Sequence, residues 1–227
     1  MSTYLDQREA DVRSLIGEWI RSDDFSCLAG KASLRRDLIT YGVLGALGEP
    51  GTTAALHRAL ADFVANGLRP DEDFATFIAV FDGPAGLGEE EFEAVLWRQL
   101  ADLHALDRQR YAWAPEADRD PASPRFAYSV AGHPFFVVGL HEGASRITRR
   151  SPYTALAFNS HQQFERLKLT GVYQGLQRRI REREVRLQSS INPNLGEFGQ
   201  ESEARQYAGR ATTPGWRCPF RPDGVDT

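Results

Sequence analysis

Arg125-Phe126-Ala127-Tyr128-Ser129-Val130-Ala131-Gly132-His133-Pro134-Phe135-Phe136-Val137-Val138-Gly139-Leu140-His141 holds two runs of β-forming residues around a turn. Arg125–Val130 and Phe135–His141 read as two strands, and Ala131-Gly132-His133-Pro134 joins them as a hairpin. Upstream, helices and strands alternate. Leu5–Arg21 places Leu5, Val12, Leu15, Ile16, Trp19 and Ile20 on one broad helical face. Asp23–Asp37 reads as a loop, and Leu38–Leu44 as a strand. After the turn Gly48-Glu49-Pro50-Gly51, Thr52 or Thr53 is expected to cap a helix that runs to Asn66 and stops at Gly67. Phe74–Phe81 is uncharged and rich in β-formers, so it reads as a buried strand. Glu89–Leu106 opens with acidic residues where the helix dipole favours them.

Downstream of the hairpin, Ala155–Phe158 is a short apolar strand. Helix resumes near His161, breaks at Gly171 and continues from Val172 to about Ser189. Regular signals end beyond Ile191, yet the irregular tail keeps Leu195, Phe198, Tyr207, Trp216 and Phe220. Such bulk predicts that the tail packs on the body. The fold class is therefore α+β. One domain over residues 1–227 is expected, with a mixed β-sheet flanked by helices and a long irregular C-terminal tail packed on the core.

The 227 residues include 41% hydrophobic ones, enough for one ordinary core, and thirteen Phe, seven Tyr and four Trp favour flat-walled pockets. A net charge of −4 argues against a nucleic-acid partner. No apolar run is long enough to span a membrane, and Met1-Ser2-Thr3-Tyr4-Leu5-Asp6 lacks the basic start and apolar stretch of a signal peptide. A cytoplasmic protein with Cys27 and Cys218 reduced is the expectation. Phosphate loops, dinucleotide fingerprints, nucleophile elbows, His-Glu-x-x-His and Cys-x-x-Cys pairs are all missing from the sequence.

Four residues present metal-ligating chemistry. His57 lies on or beside an apolar helical face among alanines, which leaves room for a large flat ligand; the competing reading is a histidine half-buried against the sheet. His141 ends a buried strand, and His161 follows Asn159 and Ser160 at a helix start. Cys218 lies in Trp216-Arg217-Cys218-Pro219-Phe220, as a thiolate or a buried structural thiol. Arg146, Arg149 and Arg150 follow His141 and suit carboxylate recognition. Arg178, Arg179, Arg181, Arg183 and Arg186, interleaved with Glu182 and Glu184, read as a solvated helix face with i,i+4 ion pairs.

Several strings occur in one order. They are Phe135–His141, Ser145-Arg146, Arg149-Arg150, Phe158-Asn159-Ser160-His161-Gln162-Gln163-Phe164-Glu165, Ser190-Ile191-Asn192-Pro193-Asn194-Leu195, Ser202-Glu203-Ala204-Arg205-Gln206-Tyr207 and Trp216–Phe220. Together they resemble the YqcI/YcgG family, densely from about Phe126 to Phe220 and more thinly before it. Phe25-Ser26-Cys27 also looks familiar, with serine where a proline is expected. The resemblance implies a haem-dependent N-oxygenase of a guanidine or amine group, using haem b, dioxygen and an electron-donor protein or reductase on an arginine-like small molecule. On that footing His57 ranks first as axial ligand, then His141, His161 and Cys218. Arg146, Arg149 and Arg150 are the propionate anchors. Glu142, Glu165, Glu201 and Glu203 are the carboxylates to hold a cationic substrate, with Glu142 and Glu165 placed in the catalytic role. A haem-binding or sensing protein without turnover, and a metal-free binding protein of the same fold, are the alternatives.

Overall fold

A computed structural model describes residues 2–69, 72–194 and 201–222, with side chains from residue 6 onward. Five strands form one mixed sheet: β1 Ile39–Leu44, β2 Thr76–Phe81, β3 Tyr128–Val130, β4 His133–Leu140 and β5 Ala155–Ser160. Their order is β1-β2-β5-β4-β3; β1 and β2 are parallel, and every other pairing is antiparallel. The helices are α1 Ser2–Arg21, α2 Leu28–Arg35, α3 Pro50–Asp62, α4 Glu89–Asp107, α5 His161–Leu169, α6 Val172–Gln188 and α7 Ala204–Tyr207. The chain is thus the expected single α+β domain.

The hairpin turn is tighter than the sequence suggested. Ala131 and Gly132 alone turn the chain, with φ of 51° and 70°, and His133 already pairs with Val130. Two successive left-handed residues match the right-handed twist of the strands they connect. The segment 23–37 is not all loop: α2 occupies Leu28–Arg35, capped by the Cys27 sulfur, which accepts from the Gly30 N–H at 3.4 Å. Helix α3 starts at Pro50 rather than at the threonines, because proline loses nothing at a first-turn position whose N–H has no partner.

Strand alternation divides the core in two. Phe77, Ala79 and Phe81 of β2, Val137 of β4 and Leu156 and Phe158 of β5 face α3, α4 and the C-terminal segment. Ile78 and Val80, Leu140, and Ala155 and Ala157 face α1 on the other side. The tail packs as expected over its described part. Tyr207 is fully buried and Phe220 only 1% exposed; Phe220 lies among Trp97, His104, Trp113, Phe126 and Tyr128. Leu195 and Phe198 lie outside the described residues. Both cysteines are free, and Cys218 is buried.

Candidate functional site

On the α1 side of the sheet, β5 offers Ala155, Ala157 and Asn159 where its other face offers Leu156 and Phe158. Beside Ala157 and Asn159 lies a cavity of about 300 Å³. Its floor is Ile78, Val138, Leu140 and Ala157; α1, α2, α5 and α6 wall it with Ile20, Gly30, Phe164 and Ile180 among others. That volume lies at the lower end of the range for small-molecule sites, and the combination of apolar walls with a few polar groups is characteristic of them.

The polar groups are specific. Cys27 lines the cavity at the start of α2. Burial pushes its thiol pKa up, against the N–H groups of Gly30 and Ala29 and the charge of Arg149, which pull it down. Arg149 also lines the cavity; its Nη1 donates to the carbonyls of Gly139 and Tyr207, both at 3.1 Å, and its Nη2 to that of Gln206 at 2.9 Å. Three carbonyls fix the guanidinium, and no carboxylate pairs with it among the described residues. Burial lowers its pKa to about 10, partly offset by Glu184.

Three carboxylates reach the same wall: Glu184, Glu201 and Glu203. Glu203 is buried, with its Oε2 2.6 Å from His161 Nε2 and its Oε1 accepting from the Tyr207 hydroxyl at 2.5 Å. Burial raises its pKa, while His161 and Tyr207 hold it down. Glu184 accepts from Arg146 Nη2 at 2.8 Å.

The residues singled out from sequence divide sharply. Of the four ligand candidates, none lines the cavity. His57 lies on the opposite face of the sheet, against the core around Leu56 and Leu60. Its Nε2 is 2.8 Å from Asp107, which also accepts from the Ala131 N–H at 2.9 Å. Two of the alanines beside it, Ala55 and Ala59, pack on that core and do not line the cavity. His141 stacks on Phe92 with ring centroids 4.2 Å apart, and neither of its nitrogens has a hydrogen-bond partner among the described residues; burial lowers its pKa, against Glu89 and the Leu87 carbonyl. His161 serves Glu203 from behind the cavity wall. Cys218 packs against the α4-side core, away from the cavity, where burial pushes its thiol to about 12.

Of Arg146, Arg149 and Arg150 only Arg149 reaches the cavity, and Arg181 of α6 lines it as well. Arg146 is taken by Glu184 and Ser190, and Arg150 donates to the Ala144 carbonyl at 2.8 Å. Glu142 accepts from the Gly86 N–H at the surface, and Glu165 pairs with Lys168 at 2.6 Å; neither lines the cavity. Glu201 and Glu203 do. Cys27 is the cavity group the sequence reading passed over, although the familiar Phe25-Ser26-Cys27 string pointed to it. The expected i,i+4 pairs of α6 are absent among the described residues: its one ion pair is Glu184 with Arg146, outside the helix.

A family model described as the YqcI/YcgG family matches residues 16–221. No curated protein and no solved structure matches the chain.

Proposed function

The chain belongs to the YqcI/YcgG family, and from that premise we propose that it is a haem-dependent N-oxygenase hydroxylating a nitrogen of a guanidine or amine on a small amino-acid-like substrate. The observation that carries the reading is the cavity itself, an apolar slot with a thiol, a guanidinium held by carbonyls and carboxylates on its walls. The lining carries two donor types that a haem uses, a thiol for the iron and a guanidinium for a propionate. Cys27 is the only cysteine or histidine lining the slot among the described residues, and a coordinating thiol loses its proton to the metal even where burial would otherwise keep it. Arg149 offers its cation to a propionate, a role its three carbonyl contacts preorganise. When bound, the haem would supply activation of dioxygen, which no side chain here can perform.

The chain's own residues would do the rest. Ile78, Val138, Leu140 and Ala157 exclude water from the reacting nitrogen. Glu201 and Glu203 would hold the cationic group of the substrate. Glu203 would take up or release a proton at Oε2, 2.6 Å from His161 Nε2, and so move a proton at the cavity wall. Electrons would come from a donor protein.

The reading is tested by loading the protein with haem, adding a reductant and dioxygen, and titrating L-arginine as the guanidine probe. Guanidine-dependent consumption of reductant, with an N-hydroxylated product, is expected. Bound haem with no guanidine or amine stimulating turnover would leave a sensing or storage role instead.

A further inference from the structure

We propose that the outer face of α6 is the docking surface for a small acidic one-electron carrier protein; the inference rests on the haem reading above. Helix α6 carries five arginines and two glutamates, a net +3 within a chain of net −4. Glu184 turns inward to Arg146 at 2.8 Å, so Glu182 is the only acidic side chain left on the outer face. Arg178, Arg179 and Arg186 are exposed and make no ion pair among the described residues. Charges that could have neutralised one another within the helix do not, which leaves a concentrated positive surface on an otherwise acidic protein.

The shape matches the charge. Arg178, Arg181, Val185 and Arg186 recur at helical spacing and, with Ile191, line a shallow groove along α6. Val185 is 45% and Ile191 40% exposed, a small apolar centre flanked by three arginines, with Glu182 the one carboxylate on the same rim. Redox encounters use small, weak interfaces of this kind, steered by charge. An anionic membrane or a nucleic acid would meet the same arginines, but the net negative charge of the rest of the chain opposes an extended anionic surface more than a compact partner.

Position gives the surface its use. Gln177 and Arg181 line both the outer groove and the inner cavity, so a carrier seated on α6 stands one helix thickness from the bound ligand, about 10 Å. The balance is simple. Two carrier molecules each give up one electron per turnover; with two protons and dioxygen, the substrate nitrogen gains a hydroxyl and one water is released. The carriers are the species oxidised.

The test mixes haem-loaded protein with a reduced plant-type ferredoxin, an acidic [2Fe–2S] carrier, and follows haem reduction by stopped flow. Wild type is compared with the R178E/R179E/R186E variant, none of whose changes touches the cavity. At low salt the variant is expected to lose at least ~10-fold in second-order rate, and the wild-type rate to fall as salt rises. Reduction by dithionite and haem content should be unchanged. Calorimetry with oxidised ferredoxin and haem-free protein reads docking separately, and should lose its heat in the variant. A variant reduced by ferredoxin at the wild-type rate would overturn the docking surface alone. Arginine-dependent binding to phosphatidylserine vesicles, with none to ferredoxin, would also overturn it. A chain that takes up no haem removes the N-oxygenase reading and this inference together.

Discussion

Replacing Phe220 with alanine should unfold the protein at markedly lower temperature. The ring comes from an irregular tail, yet it is only 1% exposed, with centroids 5.5 Å from His104, 5.7 Å from Tyr128 and 6.2 Å from Trp113. Those neighbours stand on or beside α4 and β3, held in register by the hairpin, and cannot collapse into the space a truncation leaves. Phe→Ala changes in such surroundings cost roughly 3–5 kcal/mol. Poor collapse puts Phe220→Ala in the upper half of that range, about 4 kcal/mol. For a chain of this size each kcal/mol lowers the melting temperature by roughly 2–4 °C, so a fall of about 8–16 °C is expected. Calorimetry and urea unfolding should agree, with the denaturant slope unchanged. Arg217→Ala, an exposed change three residues away, should stay within ~0.5 kcal/mol. A Phe220→Ala loss below about 1 kcal/mol would mean that the tail does not complete the core.

Other consequences follow from particular groups. Tyr207→Phe removes a buried hydroxyl that bonds Tyr128 N, Phe135 O and Glu203, and should cost about 1–3 kcal/mol in urea unfolding. His133 is buried, with Nε2 2.8 Å from the Ser160 hydroxyl, and burial lowers its pKa to about 4. The unfolded chain therefore binds the extra proton first. Stability present above about pH 6.5 is lost as pH falls toward 4, by about 3 kcal/mol in all, and His133→Gln should flatten unfolding curves compared at pH 7 and pH 5. If Cys27 holds the iron, Cys27→Ala should lose haem or change its spectrum, whereas His57→Ala should lose stability with the spectrum of the folded fraction intact.

Much of the architecture was legible because local patterns and tertiary demands agree. The uncharged run over Thr76–Phe81 became a strand buried on both faces, and the 125–141 pattern became β3 and β4. Helix α2 escaped because its cap is a thiol and glycine sits inside it, neither of which signals a helix start. The cavity escaped for a different reason. It lies beside Ala157 and Asn159, and it collects Cys27, Arg149 and Glu203 from distant parts of the chain. Helical periodicity placed His57 on a face with apolar neighbours, as observed, but could not show that Asp107 already occupies its nitrogen.

No helix of the described residues is long and apolar enough to cross a membrane. That leaves the central claim, a haem in the slot beside Cys27, to be tested on purified protein. The most direct measurement is the absorption spectrum during titration with haem b, followed by reduction under carbon monoxide for wild type and Cys27→Ala. A Soret band that saturates at one haem per chain, with the red-shifted carbon monoxide band of thiolate ligation lost in Cys27→Ala, is the predicted result. A titration that shows only free haem at every ratio would contradict the account.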